Sequence, residues 1–114
     1  MWKRIDSPDL AETYRREFLP GATPEPIAKV LAGLSKTSFA SEIYATSMNK
    51  LRLIAREFHE ARPDAPELWI LQKDDRFVVS YAYENQIGEM RSVACSELEL
   101  ESEVLVGIAC HLLG

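Results

Sequence analysis

A short proline-rich segment divides this chain into two halves with different residue patterns. Residues 62–66 read RPDAP, and proline is disfavoured inside a helix or a central strand because it lacks the backbone N–H and has a fixed φ. Apolar residues recur at helical spacing before this segment, whereas β-branched and aromatic runs follow it. Neither half is large enough to bury a sufficient core alone. We therefore predict one domain over residues 1–114, with a helical half at 1–62 and a strand-and-helix half at 67–114.

Three helices are predicted in the first half. Two of them begin at residues 7–9 (SPD) and 23–25 (TPE), where a hydroxyl residue precedes a proline and an acidic residue. The third is predicted from Ser38 or Ser41 to Pro63, because apolar residues keep helical spacing while charged residues occupy the other side. The residues that carry this spacing are Ile43, Met48, Leu51, Ile54, Ala55 and Phe58.

Three strands are predicted in the second half. Residues 68–72 (LWILQ) and 77–83 (FVVSYAY) are rich in β-branched and aromatic residues, and an acidic turn separates them. A third strand is predicted over residues 89–95, after a turn that contains Gly88. These segments indicate an antiparallel meander.

The run that follows the third strand fits two interpretations. Strict alternation over residues 97–104 indicates a longer strand, whereas Ser96 and Glu99 have the spacing of a capping box and indicate a helix. A helix follows in both cases, and its secure part is placed at residues 102–113, capped by Ser102. The predicted fold class is α+β, with three N-terminal helices, a three-stranded antiparallel β-meander and a C-terminal helix packed on the sheet.

The formal charge of −5 comes from the second half of the chain. Residues 1–66 contain ten Lys and Arg against nine Asp and Glu, which gives +1, and residues 67–114 contain three against nine, which gives −6. Such an acidic half repels phosphate backbones, so nucleic acid is not expected as a partner.

No apolar run is long enough to cross a bilayer and no signal-peptide pattern is present, so no membrane partner is expected. Two cysteines without CxxC spacing favour free thiols and a cytoplasmic location.

Few residues are available for catalysis or metal binding. His59, in the last turn of the predicted third helix, is interpreted as a favourable group for the helix dipole, with a general acid or base as the alternative role. Cys110 and His111 are adjacent and point about 100° apart on a helix, so they do not supply two ligands to one zinc ion. The acidic neighbours of Cys95 raise the pKa of its thiol and favour an inert role. No catalytic residue, metal or cofactor is assigned.

Two groups of residues are predicted to bind a partner. Strand aromatics are typical of binding surfaces because each ring combines a large apolar area with a polar atom. A run of glutamates can steer a basic protein, although it also suits the N-terminus of a helix. The aromatic group is Trp69, Tyr81 and Tyr83, and the acidic group is Glu97, Glu99, Glu101 and Glu103.

Three functional hypotheses follow. The leading one is a small cytoplasmic, non-catalytic domain that binds a protein partner or regulates it, uses a sheet face or the acidic surface, and forms a homodimer. The first alternative is an acidic inhibitor or immunity-type protein that mimics nucleic acid and binds a basic protein. The second is a small enzyme or ligand-binding domain with a pocket between the hairpin and the long third helix, built from Tyr81, Tyr83, His59 and nearby acidic residues.

Overall fold

The central element is an antiparallel sheet whose strands are ordered as they occur in the chain. The computed structural model describes residues 3–17, 25–47, 51–55, 66–73, 76–83 and 91–113. Within these residues the six strands are β1 (Lys3–Arg4), β2 (Ile43–Ser47), β3 (Leu51–Ala55), β4 (Pro66–Lys73), β5 (Arg76–Tyr83) and β6 (Arg91–Cys95).

Three helices accompany this sheet in the described part of the chain. Helices α1 (Leu10–Glu17) and α2 (Glu25–Leu34) lie between β1 and β2, and α3 (Glu97–Gly107) follows β6. The chain continues from α3 into a π-helical turn at Ile108–Leu112. The first two helices lie where the sequence predicts them, because proline and acidic residues mark their starts.

The helices cover one side of the sheet, which we call the helix face. Leu53 pairs with Leu68 in the strand register, and both side chains are fully buried. They belong to one core cluster with Leu31 of α2 and with Leu100 and Val104 of α3. The residues that alternate with this set point to the other side, which we call the far face.

The predicted third helix is wrong, and so are the predicted numbers of helices and strands. A short 3₁₀ turn at Ala40–Glu42 precedes β2, and β3 then pairs antiparallel with β2. The apolar residues of this segment fit both periods: Leu51, Leu53 and Ala55 alternate and are buried, whereas Leu51 and Ile54 also have helical spacing. Tertiary packing favours strands here, because Leu51 and Leu53 alternate along β3 and both belong to the core cluster. Met48, Phe58 and His59 lie outside the described residues.

The fold is α+β, and it corrects the predicted three-stranded meander to a six-stranded sheet. The predicted hairpin and third strand correspond to β4, β5 and β6, which pair antiparallel in an unbroken register. They are one part of a wider sheet that β1, β2 and β3 extend.

Helix α3 begins five residues earlier than its predicted secure part. The Ser96 backbone N–H donates to Glu99 Oε1 at 3.1 Å, and the Ser96 hydroxyl donates to the same oxygen at 2.8 Å. This capping box starts the helix at Glu97, so the strand extension is excluded and Ser102 is an exposed residue within the helix. No described helix is long and apolar enough to cross a membrane.

Candidate functional site

Exposed apolar side chains follow one another along α3 and the π-helical turn that continues it, and we call this row the apolar stripe: Leu98, Val106, Ala109, Cys110 and Leu113. Leu98 and Val106 are eight residues apart, and exposed Ser102 lies midway between them, so the three follow one row of a helix. The opposite side of the helix packs on the sheet. Its buried residues are Leu100, Val104, Gly107, Ile108 and Leu112.

The exposure of this stripe is high for large apolar side chains. Leu98 is 94% exposed, Val106 is 54% exposed and Leu113 is 40% exposed. No other large hydrophobic side chain among the described residues reaches this level of exposure. Single exposed hydrophobic residues are ordinary, but the concentration of all three in the C-terminal helical segment is a feature of interaction surfaces.

The π-helical turn extends the stripe to the end of the described chain. The Leu113 backbone N–H donates to the Ile108 carbonyl oxygen at 2.9 Å, which is a five-residue step rather than the four-residue step of an α-helix. The wider turn keeps Ile108 and Leu112 buried while Ala109, Cys110 and Leu113 remain exposed. From Leu98 to Leu113 the stripe is roughly 20 Å long, given the usual rise per helical residue.

The four predicted glutamates flank this stripe instead of forming one acidic face. Residues four apart share a side of a helix, so Glu97 and Glu101 form one row and Glu99 and Glu103 form another. Leu98 lies between the two rows. Glu97, Glu99 and Glu101 are exposed, whereas Glu103 is half-buried against the sheet.

Tyr81 and Glu103, both predicted site residues, are in contact with each other. The Tyr81 hydroxyl donates to Glu103 Oε1 at 2.7 Å, and the Arg91 guanidinium lies 5.3 Å from the Tyr81 ring centroid. His111 contacts the same ring edge to face at 5.4 Å, and its Nε2 lies 2.8 Å from the Ala82 carbonyl oxygen. Burial raises the pKa of Tyr81 to about 12, and the Glu103 carboxylate adds to the increase. This cluster attaches α3 to β5 and leaves Tyr81 protonated at neutral pH.

The two cysteines have different environments. Cys95 is buried at the end of β6, and burial together with Glu103 and Glu99 raises the pKa of its thiol. Cys110 is exposed within the apolar stripe. Among the described residues, no three His, Cys, Asp or Glu side chains are arranged to hold a metal ion.

Trp69 lies on the far face, away from Tyr81, and it belongs to a cluster that the sequence analysis did not identify. Glu67 is 1% exposed. Its carboxylate accepts hydrogen bonds from Arg52 Nε at 2.8 Å and Arg52 Nη2 at 2.7 Å, and a third from Trp69 Nε1 at 2.7 Å. The register places Trp69 directly between Arg52 and Ser80. A buried carboxylate with three charge-assisted or indole donors is a structural tie between β3 and β4.

The remaining predicted site residues are placed as follows. Tyr83 is the last residue of β5, and His59 lies outside the described residues. The long helix that was predicted as one wall of a ligand pocket is replaced by β2 and β3. Comparison of the chain with protein-family models, with curated proteins and with solved structures found no match.

Proposed function

We propose that this chain is a non-catalytic domain that binds a protein partner on the apolar stripe of α3. One observation carries the proposal: the three large exposed hydrophobic side chains of the described residues, Leu98, Val106 and Leu113, all belong to α3 or to the end of the π-helical turn that continues it. Contact with a partner would remove this apolar area from water, at a gain of about 25 cal/mol per Å². The free thiols Cys95 and Cys110 support a location in the reducing cytoplasm.

The charges beside the stripe define the partner that fits it. Exposed Glu97 and Glu101 lie on one side of Leu98 and exposed Glu99 lies on the other, so the N-terminal half of the stripe has an acidic border. We therefore expect a partner element with an apolar ridge and Lys or Arg on both sides of it, such as an amphipathic basic helix. A mimic of nucleic acid would need a continuous acidic face, and Leu98 interrupts the acids here.

The test uses a synthetic helical peptide with leucines on one face and lysines beside them as the probe. We expect it to bind the full chain, as measured by calorimetry, and to shift the backbone NMR resonances of α3. Val106→Ser should weaken binding about tenfold, because burying a valine side chain contributes about 1.5 kcal/mol. Binding that leaves α3 resonances unchanged, or no binding of the peptide, contradicts the proposal.

Two matched controls separate the apolar and the acidic contributions. Glu101→Lys and Glu42→Lys change the net charge equally, but Glu42 is an exposed residue of the 3₁₀ turn before β2 and is not part of the stripe or its border. Only Glu101→Lys should weaken the peptide complex, and added salt should reduce the difference. A peptide with the same lysines but serine in place of leucine should not bind, whereas its binding would indicate a purely electrostatic surface.

A further inference from the structure

The two edges of the sheet differ in how well they are protected. Strand β1 forms one edge and has only two residues, Lys3 and Arg4, both basic. A short, charged edge strand is a common protection against pairing with another chain. Strand β6 forms the other edge, has five residues, and within the described sheet pairs only with β5.

Within the described residues, β6 carries less of this protection than β1, because Arg91 at its start is its one charged residue. Its sequence RSVAC contains no proline or lysine, and its pairing with β5 runs from Tyr81 opposite Arg91 to Phe77 opposite Cys95 without a bulge. Ser92 and Ala94 are exposed and small, so another backbone can approach the strand closely. Alternate residues of an edge strand direct their N–H and C=O groups away from the sheet, where a further strand can bind them.

We propose that β6 pairs antiparallel with β6 of a second copy of this chain. The charges at the two ends of the strand favour this occupant. Arg91 lies at the start of β6 on the helix face, where it contacts the Tyr81 ring, and Glu97 lies just after its end, in the first turn of α3 on the same face. An antiparallel pair centred on Ala94 brings Arg91 of each copy level with Glu97 of the other copy. A parallel pair would instead align like charges.

The arrangement has a geometric consequence for α3. The twofold axis of an antiparallel strand pair is perpendicular to the sheet, so both copies keep their helices on the same face. The dimer therefore presents two copies of α3, antiparallel to each other, above one continuous sheet. This inference uses the strand edge and its terminal charges, and it does not depend on the partner proposed for the apolar stripe.

The mass of the full chain in solution tests the proposal. Sedimentation equilibrium over a wide range of concentrations should give twice the 12.9 kDa mass of the chain. Ala94→Lys should abolish the dimer, because it places two lysines opposite each other at the twofold axis. Ser38→Lys adds the same charge at an exposed turn and should leave the dimer unchanged. A wild-type monomer at every concentration, or an Ala94→Lys dimer, overturns the proposal.

A charge exchange tests the register independently of folding. Arg91→Glu and Glu97→Arg should each weaken the dimer, since each places like charges level with one another. The double variant should restore it, a result that damage to the fold would not produce. Failure of the double variant to restore the dimer overturns the pairing. Val106→Ser should leave the dimer intact, and a dimer that depends on Val106 but not on Ala94 would place the contact on α3 instead.

Discussion

At the scale of single residues, the Tyr81 hydroxyl links β5 to Glu103 of α3. It donates to Glu103 at 2.7 Å, and Arg91 lies over the ring on the exposed side. Burial is the largest cause of the raised pKa of Tyr81, the Glu103 carboxylate is the next, and Arg91 opposes both. Because the raised pKa favours the protonated hydroxyl, the donor in this bond is maintained throughout the neutral range.

The pH dependence of stability follows from this shift. The pKa of Tyr81 is about 12 in the folded protein, against an ordinary value of 10.0, so the unfolded chain loses this proton first as the pH rises. The contribution of Tyr81 is therefore fully present below pH 10 and is lost as the pH rises towards 12. Glu103→Gln removes the negative charge and should lower the pKa of Tyr81, as followed by the ultraviolet absorbance of tyrosinate.

Tyr81→Phe is the control for that titration. It removes the hydroxyl and should delete one ionisation step, which identifies Tyr81 among the tyrosines of the chain. This control is needed because burial also raises the pKa of Tyr14. An ionisation step of Tyr81 that does not move in Glu103→Gln would show that the carboxylate has no effect on the hydroxyl.

Part of the site could be predicted from single residues. The alternation of aromatic residues in β5 identified Tyr81, and the spacing of Ser96 and Glu99 indicated a capping box. The contact between Tyr81 and Glu103 could not be predicted, because 22 residues separate them and only the packing of α3 on β5 joins them. The apolar stripe was also missed, because Leu98 within an acidic alternating run resembles a strand residue that faces a core.

At the scale of elements, β2 and β3 show where pattern analysis fails. Apolar residues on two consecutive antiparallel strands can also have helical spacing along the sequence, as Ile43, Leu51 and Ile54 do here. The β-branched residues Ile43, Thr46 and Ile54 favour strands, but this preference is weak without knowledge of the neighbouring strand. The proline-rich segment at 62–66 therefore does not separate helices from strands, since strands lie on both sides of it.

The buried Glu67 ties β3 to β4, and its removal should be costly. Glu67→Leu deprives Arg52 and Trp69 of the carboxylate that both contact, and breaking a buried ion pair from one side costs about 3 kcal/mol or more. We expect a loss at the lower end of this range, because the Arg52 side chain is 29% exposed and can turn towards water. Denaturant unfolding measures the difference in the free energy of unfolding.

A double variant separates the stability lost by breaking the ion pair from the desolvation cost of burying it. Replacing Arg52 and Glu67 together with leucine should recover much of the stability that Glu67→Leu loses, because paired burial of two charges has a desolvation cost of its own. Glu42→Leu, at an exposed position, should leave stability within about 0.5 kcal/mol of the original chain. If Glu67→Leu behaves like Glu42→Leu, the tie between β3 and β4 contributes little to stability.

At the scale of the whole molecule, the two proposed interaction surfaces, β6 and the apolar stripe, are consecutive along the chain at one edge of the sheet. Strand β6 is the longer of the two edge strands of the described sheet, α3 follows it directly, and the exposed glutamates begin where the strand ends. The opposite edge has the basic residues of β1. Four of the nine acidic residues of the second half, Glu97, Glu99, Glu101 and Glu103, thus lie on the helix that follows this edge strand.

The strand order also predicts the order in which the strands pair during folding. From β2 to β6 each strand pairs with its neighbour in sequence, and such local pairings form quickly because each closes only a short loop. The pairing of β1 with β2 is the exception, since the chain must first pass through α1 and α2. We expect β1 to join the sheet last during folding and to detach from it first.

The Ile5 amide, which donates to the Ile43 carbonyl oxygen at 2.9 Å, should therefore exchange with deuterated solvent sooner than the amides between β4 and β5. Equal protection of the two would instead mean that the whole sheet opens as one unit.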